Sequence, residues 1–153
     1  EDGLYKVSIR AVVLYRPKPL TTAARRGARV SLNIANRGVE AAMRAVLVSD
    51  ALWVVDGEKE AELRVTGAVE TLGRADPRLG GFFSCTARVR LSIVDVKGGV
   101  VVDRELESSA VDTDEYTAWE RALNQVGTAA GSALLEHYEA SAAAKKLQAS
   151  SSD

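Results

Sequence analysis

From Phe83 to Ile93 every second residue is apolar or small: Phe83, Cys85, Ala87, Val89, Leu91 and Ile93, with Ser84, Thr86, Arg88, Arg90 and Ser92 between them. A period of two is that of a β-strand with one buried and one wetted face. Asp95-Val96-Lys97-Gly98-Gly99 follows as a turn signal, and Val100-Val101-Val102 restarts an extended run. Phe82 to Val111 therefore reads as a long antiparallel hairpin on which the other elements pack.

The same alternation marks Leu4 to Tyr15. Tyr5, Val7, Ile9, Ala11, Val13 and Tyr15 share one face; Lys6, Ser8 and Arg10 lie on the other, which turns apolar at Val12 and Leu14. A strand apolar on both faces at its end is expected in the interior of a sheet. Arg16-Pro17-Lys18-Pro19 ends it, because proline cannot donate to a ladder. From Ala28 to Val48 the spacing of Leu32, Ala35, Val39, Ala42, Met43 and Val46 predicts a helix. Leu52–Val55 is a short strand, Asp56-Gly57 a turn, and Ala61 to Val69 alternates again. The short connection predicts that these two strands pair antiparallel. Leu72 to Gly81, with Gly73, Pro77, Gly80 and Gly81, reads as an exposed loop.

Asp112 with Glu115 three residues on predicts a capped helix start. Tyr116, Trp119, Leu123, Val126, Ala130 and Leu134 then mark one helical face to about Ala140. Gly127 and Gly131 share a face, which predicts close approach to the sheet, since glycine inside a helix otherwise only costs stability. After Ala140 the run of Ala, Ser, Lys and Gln predicts a frayed helical tail or linker. The expected architecture is α+β: a mostly antiparallel five-stranded sheet with two helices on one face, in the order β-α-β-β-β-β-α. It forms a single domain over residues 1–140, with 141–153 as the tail.

The totals narrow the function. The chain of 153 residues, 46% hydrophobic, suits one domain with a real core. Its formal net charge of -1 gives no bulk attraction to nucleic acid or anionic lipid. The charge is unevenly spread: residues 1–48 hold nine Lys/Arg against three acids, so the rest of the chain is acidic. Cys85 and His137 are each alone, which excludes an intrachain disulfide and a cysteine-based metal cage. No apolar run is long enough to span a bilayer.

Some of these motifs resemble a known group. An Ala-Val-Val-Leu strand lies within Val7 to Leu14. It is followed by Val54-Val55-Asp56, by Val65-Thr66-Gly67-Ala68-Val69, and by Leu91-Ser92-Ile93-Val94-Asp95-Val96-Lys97-Gly98-Gly99-Val100-Val101 before an alanine-rich terminal helix. Over most of residues 5–140 the chain is similar to the TolB N-terminal-like domains of bacterial envelope proteins. That group includes the curli secretion lipoprotein, the lipoprotein activators of penicillin-binding proteins, and flagellar assembly protein T. It departs from them where they carry a helix between the second and third of these motifs, since only Gly57-Glu58-Lys59-Glu60 stands there. The resemblance implies a periplasmic domain, often tethered by a lipidated cysteine upstream, that binds other envelope proteins and has no active site.

The inventory of reactive groups agrees. His137 sits at the edge of an apolar helix stripe and reads as a packing residue, and Cys85 on an inward strand face reads as an inert thiol. Asp103, Glu105 and Glu107 alternate along one strand face, opposite Arg88 and Arg90, so cross-strand ion pairs account for them better than a metal site or a glycosidase pair. Gly98-Gly99 lacks the strand–loop–helix setting of a phosphate loop. No catalytic residue, cofactor or metal is expected. The remaining oddity is a segment with Arg16, Lys18, Arg25, Arg26 and Arg29 and no acid. It is either a soluble loop or a surface for an acidic partner, lipid headgroups or phosphates; it lacks the interleaved aromatics of a single-strand binder.

The leading expectation is a non-catalytic domain of the cell envelope that binds partner proteins or self-associates through a sheet edge. Its membrane contact would come only from an upstream lipid anchor. The alternative is an anion- or nucleic-acid-binding module using Arg25, Arg26 and Arg29. A third is a carrier with a pocket between the last helix and the sheet near Tyr116 and Trp119.

Overall fold

The computed structural model describes residues 27–50, 52–75, 80–97, 99 and 101–150. The elements are β1 (Arg29–Ile34), α1 (Arg37–Ser49), β2 (Trp53–Val55), β3 (Leu63–Ala75), β4 (Phe83–Asp95), β5 (Val101–Asp112) and α2 (Glu115–Ser150). The expected strand Leu4–Tyr15 lies outside the described residues.

The first correction falls on residues 28–36. They form β1 and a cap, not the start of a helix. Val30 and Ile34 alternate with the polar Ser31 and Asn33, and their β-branched side chains suit a strand. Asn36 then opens α1 in an extended conformation, with its Oδ1 accepting from the backbone N–H of Gly38 at 2.9 Å and of Val39 at 3.1 Å. Those bonds satisfy two of the donors that a helix start leaves free. Replacing Asn36 with alanine is expected to lower unfolding free energy by about 1 kcal/mol, measured by urea denaturation.

The second correction concerns the sheet, which is mixed rather than mostly antiparallel, with spatial order β2-β1-β3-β4-β5. β1 pairs parallel with β2 on one side and with β3 on the other. The expected antiparallel pairing of β2 with β3 is absent because β1 lies between them. The order of elements also differs from the expectation in what fills it, since its first place belongs to Arg29–Ile34 rather than Leu4–Tyr15. A parallel pair needs a crossover, and α1 supplies it between β1 and β2. β3, β4 and β5 form the antiparallel remainder in continuous register from Leu63↔Asp95 to Ala75↔Phe83 and from Phe83↔Asp112 to Val94↔Val101.

Both helices cover one face of this sheet. Ala87, Val89 and Ile93 of β4 are fully buried beneath them, together with Val39 and Met43 of α1 and Val126, Ala130 and Leu134 of α2. The opposite face is open and polar. Arg88 pairs with Glu107 at 2.7 Å and Arg90 with Glu105 at 3.2 Å, the cross-strand bonds that the alternation predicted. Arg90 also lies 3.6 Å from Glu70 on β3.

Two local expectations at α2 change. Its cap is Asp114, whose Oδ2 accepts from the Thr117 N–H and hydroxyl, each at 2.8 Å. Asp112 ends β5 instead and pairs with Arg121 at 2.6 Å. Gly127 and Gly131 face α1, not the sheet. A Cβ on Gly127 would stand 2.7 Å from the Val39 carbonyl oxygen, and one on Gly131 would stand 2.9 Å from Val46 Cβ. The glycines therefore set the distance between the two helices.

Candidate functional site

The starts of α1 and α2 lie side by side and enclose a groove of about 420 Å³, lined by Asn36, Gly38, Tyr116, Trp119, Glu120, Leu123 and Asn124. It continues into a depression of about 400 Å³ bounded by Asp114, Glu115, Tyr116 and Trp119. The apolar stripe that carries α2 against the core runs on past the edge of that core, so its first aromatics stay in solvent. Tyr116 is 67% exposed and Trp119 39% exposed. Trp119 leans over the sheet where β3 carries Gly73: a Cβ there would stand 3.7 Å from Trp119 Nε1 and 3.4 Å from Cys85 Sγ.

The groove is electrostatically one-sided. Asp114, Glu115 and Glu120 line it together with its depression, and among the described residues no Lys or Arg does. The bonds from Thr117 hold the Asp114 carboxyl below the usual carboxylate range, so it stays ionised. The Tyr116 hydroxyl donates to Glu120, and that bond and the adjacent carboxylate push the phenol up. Tyr116 is therefore a neutral donor whose ring is free for contact. Exposed aromatics with a polar tip, rimmed by charge, are the usual makings of a protein contact.

Residues expected to be chemically inert stay apart. Cys85 is buried, and burial followed by the nearby Glu115 charge pushes its thiol up. His137 is half-buried beside a small cavity of about 190 Å³ that also meets Glu62, Asp95, Lys97 and Tyr138. There Lys97 Nζ already donates to Glu62 at 3.1 Å. Among the described residues no group of His, Cys, Asp and Glu could hold a metal ion, and no helix is long and apolar enough to cross a membrane. Of the basic segment, only Arg29 falls within the description, exposed on β1 in register with Trp53. Arg16, Lys18, Arg25 and Arg26 lie outside the described residues.

A larger hollow, about 780 Å³, lies on the open sheet face over Asn33, Thr66, Ser92 and Asp103, with Arg90 and Glu105 at its border. It is shallow, and two of its charged groups, Arg90 and Glu105, already pair with one another at 3.2 Å. The groove, with its uncovered aromatic wall, is the stronger candidate. Its α2 wall was readable in the sequence as Tyr116 and Trp119. Its α1 wall, Asn36 and Gly38, had one overlooked signal: an asparagine placed to cap a helix.

No family model and no curated protein matches the chain. Solved structures do. A protein of Caulobacter crescentus CB15 assigned as a lipoprotein superposes with a TM-score of 0.54 at 14% identity, over 76% of this chain and 91% of that one. Uncharacterized lipoprotein B of Nitrosomonas europaea gives 0.53 at 17% identity, over 77% and 86%. Rare lipoprotein B of Shewanella oneidensis gives 0.50 at 11% identity, over 77% and 98%. At such identities the likeness is one of fold: this chain has a fold shared with bacterial lipoproteins.

Proposed function

We propose that this chain is a non-catalytic domain of the bacterial cell envelope, on its periplasmic side, that works by docking another protein. The observation that carries the reading is the groove between the starts of α1 and α2, with its uncovered aromatics and acidic rim. The fold shared with bacterial lipoproteins supports the compartment. So does the likeness of the strand motifs to TolB N-terminal-like domains. The chemistry of the groove selects the partner. Tyr116 and Trp119 offer area for an aliphatic, aromatic or proline side chain, and Asp114, Glu115 and Glu120 offer charge for flanking lysine or arginine. The partner segment is therefore basic with an apolar tip.

Site-specific photocrosslinking in living bacteria tests this. A crosslinking amino acid in place of Tyr116 is expected to trap a discrete protein adduct, and one in place of Thr128, exposed more than three turns further along α2, to trap none. The adduct is expected to fade when Glu120→Lys is added. An adduct of twice the protomer mass identifies a second copy as the partner. No adduct at Tyr116, or the same pattern from both positions, defeats the reading.

A further inference from the structure

The groove at the start of α2 has its chemical counterpart at the other end of the same helix. Leu134 is the last buried residue of α2 among the described residues, and the helix runs on to Ser150. In that stretch Ala143, Ala144, Leu147, Gln148 and Ala149 are exposed, Leu147 by 71%. Between Glu139 and Asp153 the sequence has two cations, Lys145 and Lys146, and no acid. Leu147 follows them directly. The end of α2 is thus a basic segment with an apolar tip. The groove sets two exposed aromatics beside Asp114, Glu115 and Glu120. Ala143 stands one turn before Leu147 on the same helical face, so its small side chain lets the helix backbone come close to a flat ring.

One chain cannot make this contact with itself. α2 is one continuous helix, and at about 1.5 Å per residue it holds Leu147 roughly 46 Å from Tyr116. We infer that the groove of one copy receives the end of α2, residues 141–150, of a second copy. The inference rests on the docking reading of the groove and names its occupant. Leu147 covers the rings of Tyr116 and Trp119, and the charge of Lys145 and Lys146 offsets that of the acidic rim. The mode is a helix laid in a groove, with one apolar anchor and flanking charge. The two surfaces differ, so the contact is heterologous: each copy offers a groove to one neighbour and a tail to another. A single short helical segment on one side makes the contact weak, so assembly depends on concentration.

Sedimentation of the full chain at low ionic strength tests this. The unaltered chain is expected to gain mass with concentration and to lose that gain in high salt. Glu120→Lys spoils the groove and leaves the tail. Lys145→Glu/Lys146→Glu spoils the tail and leaves the groove. Each variant alone is expected to associate at least about tenfold more weakly than the unaltered chain, with its circular dichroism unchanged. Mixed, they have one sound groove and one sound tail between them. The spoiled groove keeps Asp114 and Glu115 and so does not accept the reversed tail. The mixture is therefore expected to form dimers of one chain of each kind and nothing larger. An unaltered chain that stays monomeric overturns the inference. So does either variant that associates as before, or a mixture that stays monomeric. A photocrosslinked adduct at Tyr116 with a different protein also overturns it, and leaves the docking reading standing. No adduct at Tyr116 removes the docking reading and this inference with it.

Discussion

Replacing Gly127 with valine is expected to lower the unfolding free energy by about 3 kcal/mol or more, the largest loss for any single added side chain in α2. The added Cβ would meet the Val39 carbonyl oxygen at 2.7 Å and Ala42 Cβ at 2.8 Å. The first of these atoms is backbone, and it belongs to a helix held by its own hydrogen bonds, so it cannot swing aside as a side-chain tip does. Relief requires α1 and α2 to separate, which uncovers Val39, Met43 and Ala130 together. The gain from removing a glycine inside a helix, a few tenths of a kcal/mol, does not offset this. Urea denaturation measures the effect, with Thr128→Ala on the exposed side as a near-neutral control. A Gly127→Val chain as stable as the parent would contradict the close helix contact.

Leu91→Ala is expected to cost about 2–5 kcal/mol, while Ser92→Ala is expected to stay within about 0.5 kcal/mol. Leu91 is 2% exposed, between the sheet and the helices. Its removal leaves a cavity that Gly67, across the strand pair, has no side chain to fill. Ser92 is one residue away on the open face. The contrast between neighbours measures the inward and outward alternation of β4 directly. Equal effects at the two positions would mean that the register is wrong.

The alternation of β4 was the most legible part of the chain. Its burial follows the sequence from Cys85 to Ile93 without exception, because a strand inside an antiparallel hairpin writes its two faces into consecutive residues. β1 was hidden for the opposite reason. Leu32, Ala35 and Val39 happen to fall at helical steps, and no turn beside Arg29–Ile34 announces a parallel pairing with strands that arrive later in the chain. The deciding clues were Val30, Ile34 and the capping Asn36, which are local and weak. Gly127 and Gly131 announced a close approach but not its partner. That partner, Val39 to Val46, is known only once both helices are placed. The groove divides in the same way. Tyr116 and Trp119 stood out as aromatics on one helix face, whereas the wall opposite them is brought there by the helix contact.

The placement of β1 between β2 and β3 has a consequence for biogenesis. A chain made from its N-terminus exposes Val30 and Ile34 before β3 has been synthesised, so the middle strand of the parallel half waits for a neighbour more than thirty residues downstream. The β3-β4-β5 meander needs only adjacent sequence and can close on its own timescale. The amino-terminal half of the parallel sheet therefore keeps its apolar strand face uncovered for longer during synthesis than the meander does.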